Sequence, residues 1–189
     1  MQMLNTIKHI FSQLWHLTIE APETWEQIAK DDTEISKIRN RYTFCLIALC
    51  VLLVFAFNWL LNDIQYAIAT SLRDLIVLTG GYYIICLLGR TTLKNTFPNR
   101  FNLEDSDKII TYCYAFIIIL QFFISIIPIS YYLYLLYFFV AYLLWEAARA
   151  VLLLEEDERQ YFVIYFTLII TIVPIILTIA FNFLILRNI

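Results

Sequence analysis

The sequence is poor in the residues on which loops and catalytic centres most often depend. It contains only three glycines, four prolines and two histidines in 189 residues. It therefore has neither a glycine-rich phosphate loop nor the GxSxG turn of serine hydrolases. His9 and His16 would lie ~10.5 Å apart along a helix, too far apart to chelate one metal ion by themselves. The sequence indicates no catalytic constellation, and we predict a protein that is not an enzyme.

Charge is also scarce, since only 15% of the residues are charged and 61% are hydrophobic. A soluble domain has about one quarter charged residues. The 13 Lys and Arg residues are scattered and form no surface for nucleic acid. The apolar residues stand in blocks that approach or exceed the ~18 residues of a membrane span. We therefore predict a polytopic membrane protein that binds no nucleic acid.

The four cysteines all lie in apolar runs, and no CxxC motif is present. Buried free thiols that pack as small hydrophobic groups are the expected result. The sequence thus predicts no disulfide framework, no metal site and no cofactor.

The first segment, MLNTIKHIFSQLWHLTI, has the pattern of an amphipathic helix with Phe11 and Trp15 on its apolar face. Such a helix lies either in the headgroup plane of a bilayer or against the protein's own cytoplasmic loops, and the pattern favours neither. Pro22 suits the first turn of a second short helix, on which Trp25 and Ile28 lie one turn apart. These five residues form the predicted interfacial or partner-binding surface.

We predict an all-α protein with five membrane spans. The spans are expected at residues 43–61, 71–93, 109–127, 131–154 and 161–186, after cytoplasmic helices in residues 1–42 and before an external tail of residues 187–189. Pro128 should end the third span, and Pro174 should kink the fifth.

The distribution of Lys and Arg predicts the orientation. Eleven of the 13 basic residues precede the first span or lie in the two loops on that same side, which leaves Arg73 and Arg187 on the other. The positive-inside rule then predicts a cytoplasmic N-terminus and an external C-terminus. We expect an integral membrane protein of this orientation; the family resemblance described below implies that the membrane is a bacterial inner membrane.

The stretch LLWEAARAVLLLEEDERQYF places Glu146 and Arg149 inside the fourth apolar run. Residues three apart on a helix are neighbours, so the two side chains can pair. The sequence favours a structural ion pair, shared with Arg90 from the second span, over a transport or catalytic site. Arg73 and Asp74 are adjacent and are expected to point in different directions.

The acidic cluster that follows, EEDER, is similar to the EExxxR motif of CAAX-type intramembrane proteases. Its spacing is one residue short, and neither histidine lies in a span. We predict that the cluster is a solvated turn near the positive end of the fifth helix.

Three stretches together resemble the YIP (Ypt-interacting protein) domain family of five-span membrane proteins. They are APETWEQIAKDD, FPNRFNLEDSDKIITYCYAFIIILQFFISIIP and YYLYLLYFFVAYLLWEAARAVLLLEEDERQYFVIY. The resemblance implies a non-enzymatic membrane protein. Glu146 and Arg149 stand where the family usually has apolar residues.

The expected function is a scaffold or accessory protein that self-associates or docks a partner mainly through its cytoplasmic face. Its partners would be the lipid bilayer and either a second copy or another membrane protein. The alternative is a small transporter or channel that uses Glu146 and Arg149. Transport would require a polar lining to the external face, for example through Gln121 and Asp74.

Overall fold

The computed structural model describes residues 2–31, 33–96, 103–127 and 130–185, and in these residues every regular element is helical. The α-helices are α1 (Gln2–Ile19), α2 (Ala21–Lys30), α3 (Ile35–Arg39), α4 (Cys45–Leu61), α5 (Ile64–Thr96), α6 (Leu103–Ile126), α7 (Phe139–Ala150) and α8 (Glu156–Ile185). A π-helical segment, Asn40–Phe44, joins α3 to α4, and a 3-10 segment, Ser130–Phe138, precedes α7. The all-α prediction is confirmed.

Five helical stretches of the described chain are long and apolar enough to cross a membrane. They are Ile35–Leu61, Ile64–Thr96, Glu104–Ile126, Tyr132–Ala150 and Glu156–Leu184. The chain is therefore a multi-pass membrane protein with the predicted number of spans. Pro128, which was predicted to end the third span, and the predicted tail of residues 187–189 lie outside the described residues.

The fourth span begins about where the sequence predicts but ends earlier. It begins as a 3-10 segment and its α-helical part, α7, ends at Ala150 rather than at residue 154. The amide of Val151 donates to Ala147 O (2.8 Å) and the amide of Leu154 to Ala148 O (3.2 Å). The second bond spans six residues and encloses Leu153, which lies in the left-handed region (φ 49°), where helix ends usually have glycine. The backbone thus stops the helix although the sequence remains apolar.

The second span, α5, is the centre of the bundle because it packs against α4, α6 and α8. Glycines permit this closeness at two places. A Cβ on Gly81 would lie 2.8 Å from the Tyr114 hydroxyl oxygen, and one on Gly89 would lie 2.7 Å from Ile110 Cδ1. A close approach of helices is therefore present at Gly81 and Gly89, whereas Gly80 has nothing within 4 Å.

The contrast between Gly80 and Gly81 gives a matched prediction. Gly81→Ala should lower the free energy of unfolding by about 1–3 kcal/mol, because the new methyl group must displace the fully buried Tyr114 ring. Gly80→Ala fills open space and should leave stability unchanged or slightly raised. Thermal unfolding of both variants in the same detergent measures the difference. Equal midpoints for the two variants would show that the approach at Gly81 is not tight.

The N-terminal helices are fixed to this bundle. α1 packs on α2, and α2 packs on α7. Between α2 and α3, Asp31 Oδ1 accepts from the Thr33 amide (2.9 Å), and Lys108 of α6 donates to Asp31 O (2.7 Å). The hydrogen bonds from Thr33 hold the pKa of the Asp31 carboxyl below its ordinary value. The turn that follows α2 is thus tied to the start of α6.

Candidate functional site

Arg73 and Asp74 are two of the three buried charged residues of the described chain, with 7% and 0% of their surface exposed. Arg73 Nε donates to Asp74 Oδ1 at 2.8 Å, while its two terminal nitrogens donate to Asn182 Oδ1 (2.9 Å) and Ser125 Oγ (3.0 Å). The expectation that the adjacent residues point apart is wrong. The long arginine side chain folds back along α5, so that both charges meet α6 and α8 together.

Hydrogen bonds extend this cluster towards the fourth span. Gln121 Nε2 lies 3.5 Å from Ser125 Oγ, and the Tyr137 hydroxyl donates to Gln121 Oε1 at 3.2 Å. We call Arg73, Asp74, Gln121, Ser125, Tyr137 and Asn182 the outer polar cluster. It joins α5, α6, α8 and the 3-10 segment in the membrane region, where an unpaired polar group is expensive.

One oxygen of the outer polar cluster is left over. Asp74 Oδ2 is buried and has no donor at full hydrogen-bonding geometry in the described part of the chain, although Ser125 and Gln121 lie beside the carboxylate. A buried carboxylate oxygen in this state is an acceptor for a proton, a water molecule or a cation. The cluster is thus the part of the membrane domain best suited to bind a small polar species.

A second polar cluster lies near the other end of α5. Arg90 makes a two-pronged ion pair with Asp107 of α6, whose carboxylate is almost fully buried. The Thr111 hydroxyl donates to Asp107 O (2.6 Å) and lies 2.9 Å from the Tyr82 hydroxyl. The prediction that Arg90 shares the Glu146 ion pair is therefore wrong. Arg90 lies on the face of α5 that packs against α6, and its guanidinium forms an ion pair with the Asp107 carboxylate there.

The predicted pair of Glu146 and Arg149 is present, with Arg149 Nε donating to Glu146 Oε2 at 3.0 Å. Arg149 also lies 3.7 Å from Glu26 Oε1 of α2. The arginine therefore connects α7 to the N-terminal helices rather than to α5. This geometry favours the structural interpretation of the pair.

The two carboxylates around Arg149 should contribute unequally to stability. Glu146→Gln should lower the free energy of unfolding by about 1 kcal/mol, because Glu146 is mostly buried and its Oε2 atom accepts a hydrogen bond from Arg149 Nε. Glu26→Gln should leave the free energy of unfolding nearly unchanged, because the Glu26 carboxylate is exposed and lies farther from Arg149 than the Glu146 carboxylate does. Thermal unfolding at low and high salt tests both variants. A larger loss for Glu26→Gln than for Glu146→Gln would contradict this assignment.

The second polar cluster, around Arg90 and Asp107, is separated from the outer polar cluster along α6. Asp107 and Gln121 stand ~21 Å apart at ~1.5 Å per residue. Between them Ile110, Cys113 and Ile118 are fully buried. On α6 these buried apolar side chains lie between the two groups of polar residues.

The predicted surface of five N-terminal residues is divided in the structure. Trp25 and Ile28 are 0% and 3% exposed and belong to the core, so their assignment to a partner surface is wrong. The Trp25 ring meets Tyr112 of α6 edge to face at 5.9 Å between centroids. Because α2 lies on the bundle, its apolar face is already covered. Pro22 beside them is half-buried.

Phe11 and Trp15 remain exposed, at 48% and 66%, and Ile19 one turn later is exposed as well. We call these three residues the α1 strip. Ile10, Leu14 and Leu17, on the adjacent side of the same helix, are buried against the protein. α1 is therefore held by one half of its apolar face and presents the other half outwards.

The acidic cluster occupies the first turn of α8, where Glu156, Asp157 and Glu158 meet the positive end of the helix dipole. Glu155, Glu156 and Asp157 are exposed, as expected of a solvated turn. Cys50, Cys86 and Cys113 are buried free thiols, and Cys45 is half-buried. In the ranges that the structure describes, no three His, Cys, Asp or Glu side chains gather closely enough to hold a metal ion.

Comparison of the chain with protein-family profiles, with curated proteins and with solved structures found no match.

Proposed function

We propose that the protein is a non-enzymatic scaffold or accessory protein of the YIP type, placed in a bacterial inner membrane with its N-terminus in the cytoplasm. The observation that carries the proposal is the α1 strip. Its residues project from a helix whose other apolar side is already packed on the protein. A fixed helix with an uncovered aromatic edge is the arrangement that docks a second copy or another membrane protein.

The paired charges support the same conclusion. Arg90 pairs with Asp107 between α5 and α6, and Arg149 with Glu146 and Glu26 between α7 and α2. The first pair holds α5 to α6. The N-terminal helices are held to the bundle chiefly by the buried Trp25 ring and by the hydrogen bond from Lys108 to Asp31 O. A rigidly mounted surface loses little entropy on binding, which favours a docking role.

Photo-crosslinking tests the docking role directly. A benzophenone amino acid placed at Trp15 should form protein adducts in intact membranes, whereas the same probe at His16, on the polar side of α1, should not. His16 is the matched control because it is adjacent and equally exposed to solvent. Mass spectrometry then separates adducts with a second copy from adducts with another protein. Lipid adducts alone at Trp15 would reject docking and place the strip in the bilayer.

The outer polar cluster favours transport as a second candidate function. Its support is the buried Asp74 Oδ2, which has no donor at full hydrogen-bonding geometry among the described residues. Since Arg149 and Glu146 are joined to α2, Asp74 is a better candidate for a transport site than that pair. Proteoliposomes that carry a pH or ion gradient provide the test. Flux that survives Asp74→Asn but is lost in Glu146→Gln would reverse this preference.

A further inference from the structure

An apolar groove of about 150 Å³ lies between α4 and α6. Its α4 wall follows the spacing i, i+3, i+4 and i+7 of a single helix face, with Leu46, Leu49, Cys50 and Leu53. Its α6 wall is also one face of a helix, with Ile118, Ile119, Phe122 and Phe123. Because α4 and α6 belong to the first and third spans, the groove runs along the spans inside the membrane domain.

One end of the groove is bordered by α1. Phe11 lines the groove, and His9, on the same helix, meets the Tyr42 ring edge to face with 6.3 Å between centroids. Tyr42 lies just before α4, so Phe11 borders the groove at its Leu46 end. From Leu46 to Leu53 the groove extends ~10.5 Å along α4, at ~1.5 Å per residue. This length is about a third of the ~30 Å hydrocarbon core of a bilayer.

The lining of the groove is unsuited to a polar ligand. In the described part of the chain, its nine lining side chains carry a single heteroatom, the Cys50 sulfur. The Cys50 thiol donates to Ile118 O at 3.8 Å, so its proton is already engaged. A polar solute or a headgroup in the groove would lose its hydrogen bonds to water and gain none. The lining therefore suits a hydrocarbon group.

The size of the groove excludes a helix. An α-helix with its side chains is ~10 Å across, so a single turn of it occupies roughly 400 Å³. The groove is also smaller than the ~300–1,000 Å³ of ordinary small-molecule sites. It has room for one narrow chain.

The groove is continuous with the lipid-facing surface of the bundle. Leu53 and Phe123 line its end away from α1 and are 38% and 43% exposed. Leu52 and Phe57 of the same span are exposed apolar side chains as well. The hydrocarbon that meets such a surface in a bilayer consists of phospholipid acyl chains. An acyl chain therefore reaches the groove from the side without leaving the membrane.

We propose that the groove binds one acyl chain of a membrane phospholipid between α4 and α6, with Phe11 at its α1 end. Lipid tails are as apolar as leucine, so the binding comes from closer van der Waals packing against two helices. The headgroup stays outside the groove and is not selected. Trp15 and Ile19 of the α1 strip do not line the groove, so the site does not depend on the docking role.

Leu53 and Leu52 offer matched variants. Leu53→Trp fills the groove, whereas Leu52→Trp enlarges an adjacent side chain that is 63% exposed and does not line it. Native mass spectrometry of the full chain in mild detergent should show one retained phospholipid on the wild type and on Leu52→Trp. Retention should fall about tenfold in Leu53→Trp, which corresponds to ~1.4 kcal/mol. Equal retention by the two variants would overturn the proposal.

Exchange of defined lipids into the wild type tests the headgroup without any variant. Phosphatidylethanolamine, phosphatidylglycerol and phosphatidylcholine with the same acyl chains should be retained within about twofold of one another, because the lining offers no partner to a headgroup. A tenfold preference for one headgroup would place the lipid at a polar site elsewhere and reject the groove.

Photo-labelling separates a bound chain from the lipid that surrounds every membrane protein. A phosphatidylcholine with a diazirine midway along one acyl chain should label Phe122, in the groove, more strongly than Ile176, which is exposed on α8 outside the groove. The excess at Phe122 should disappear in Leu53→Trp and persist in Leu52→Trp. Equal labelling of Phe122 and Ile176 in the wild type would mean that the groove holds no chain of its own.

Discussion

Asp74→Ala should lower the free energy of unfolding by about 3 kcal/mol. The substitution removes the counter-charge of Arg73, which is 7% exposed and donates to Asp74, Ser125 and Asn182. An uncompensated guanidinium would then remain inside the membrane region, where no water can reach it in quantity. Thermal unfolding in detergent, followed by tryptophan fluorescence, measures the loss.

A double substitution separates loss of charge pairing from loss of packing. Arg73→Met combined with Asp74→Leu removes both charges and keeps a similar side-chain volume. This double variant should therefore be clearly more stable than Asp74→Ala alone. This recovery is expected only if the two charges depend on each other. A double variant less stable than the single one would indicate that the outer polar cluster as a whole, rather than the ion pair, supports the bundle.

Trp25→Ala should lower the free energy of detaching α2 from the bundle by about 4 kcal/mol. The indole ring is fully buried and packs on Tyr112, and its removal leaves a cavity between α2 and α6. Hydrogen exchange of the amides of residues 21–30 reports the opening of this helix. Exchange there should become much faster, while exchange in α5 and α8 should change little.

Trp15→Ala is the matched control for this variant. Trp15 is also a tryptophan of the N-terminal helices, but it is 66% exposed. Its removal should leave hydrogen exchange in α1 and α2 nearly unchanged. Faster exchange after Trp15→Ala, comparable to that after Trp25→Ala, would mean that Trp15 packs on the protein in solution.

The sequence predicts the five spans because long apolar runs have few other structures available to them in a membrane protein. It does not predict where α7 ends, because Val151 to Leu154 are as apolar as the helix before them. The stop comes from the backbone closure around Leu153, for which the sequence has no glycine as a signal. It likewise predicts the amphipathic N-terminal helices but not which apolar side chains become core.

The paired charges illustrate the same limit at the level of the site. Glu146 and Arg149 were predictable as a pair because they lie three residues apart on one helix. Arg90 and Asp107 belong to different helices, and their pairing depends on which face of α5 meets α6. The contact of Arg73 with Asn182 joins positions far apart in sequence. The one available signal was that Arg73, Asp74 and Gln121 interrupt apolar spans.

The contact between Arg73 and Asn182 also has a consequence for biosynthesis. A ribosome delivers α5 to the membrane well before α8, so the arginine enters the bilayer when only Asp74 of its bonding partners has been made. Ser125 arrives with the third span and Asn182 with the fifth. The second span therefore reaches its final polar environment only when the last span has been inserted.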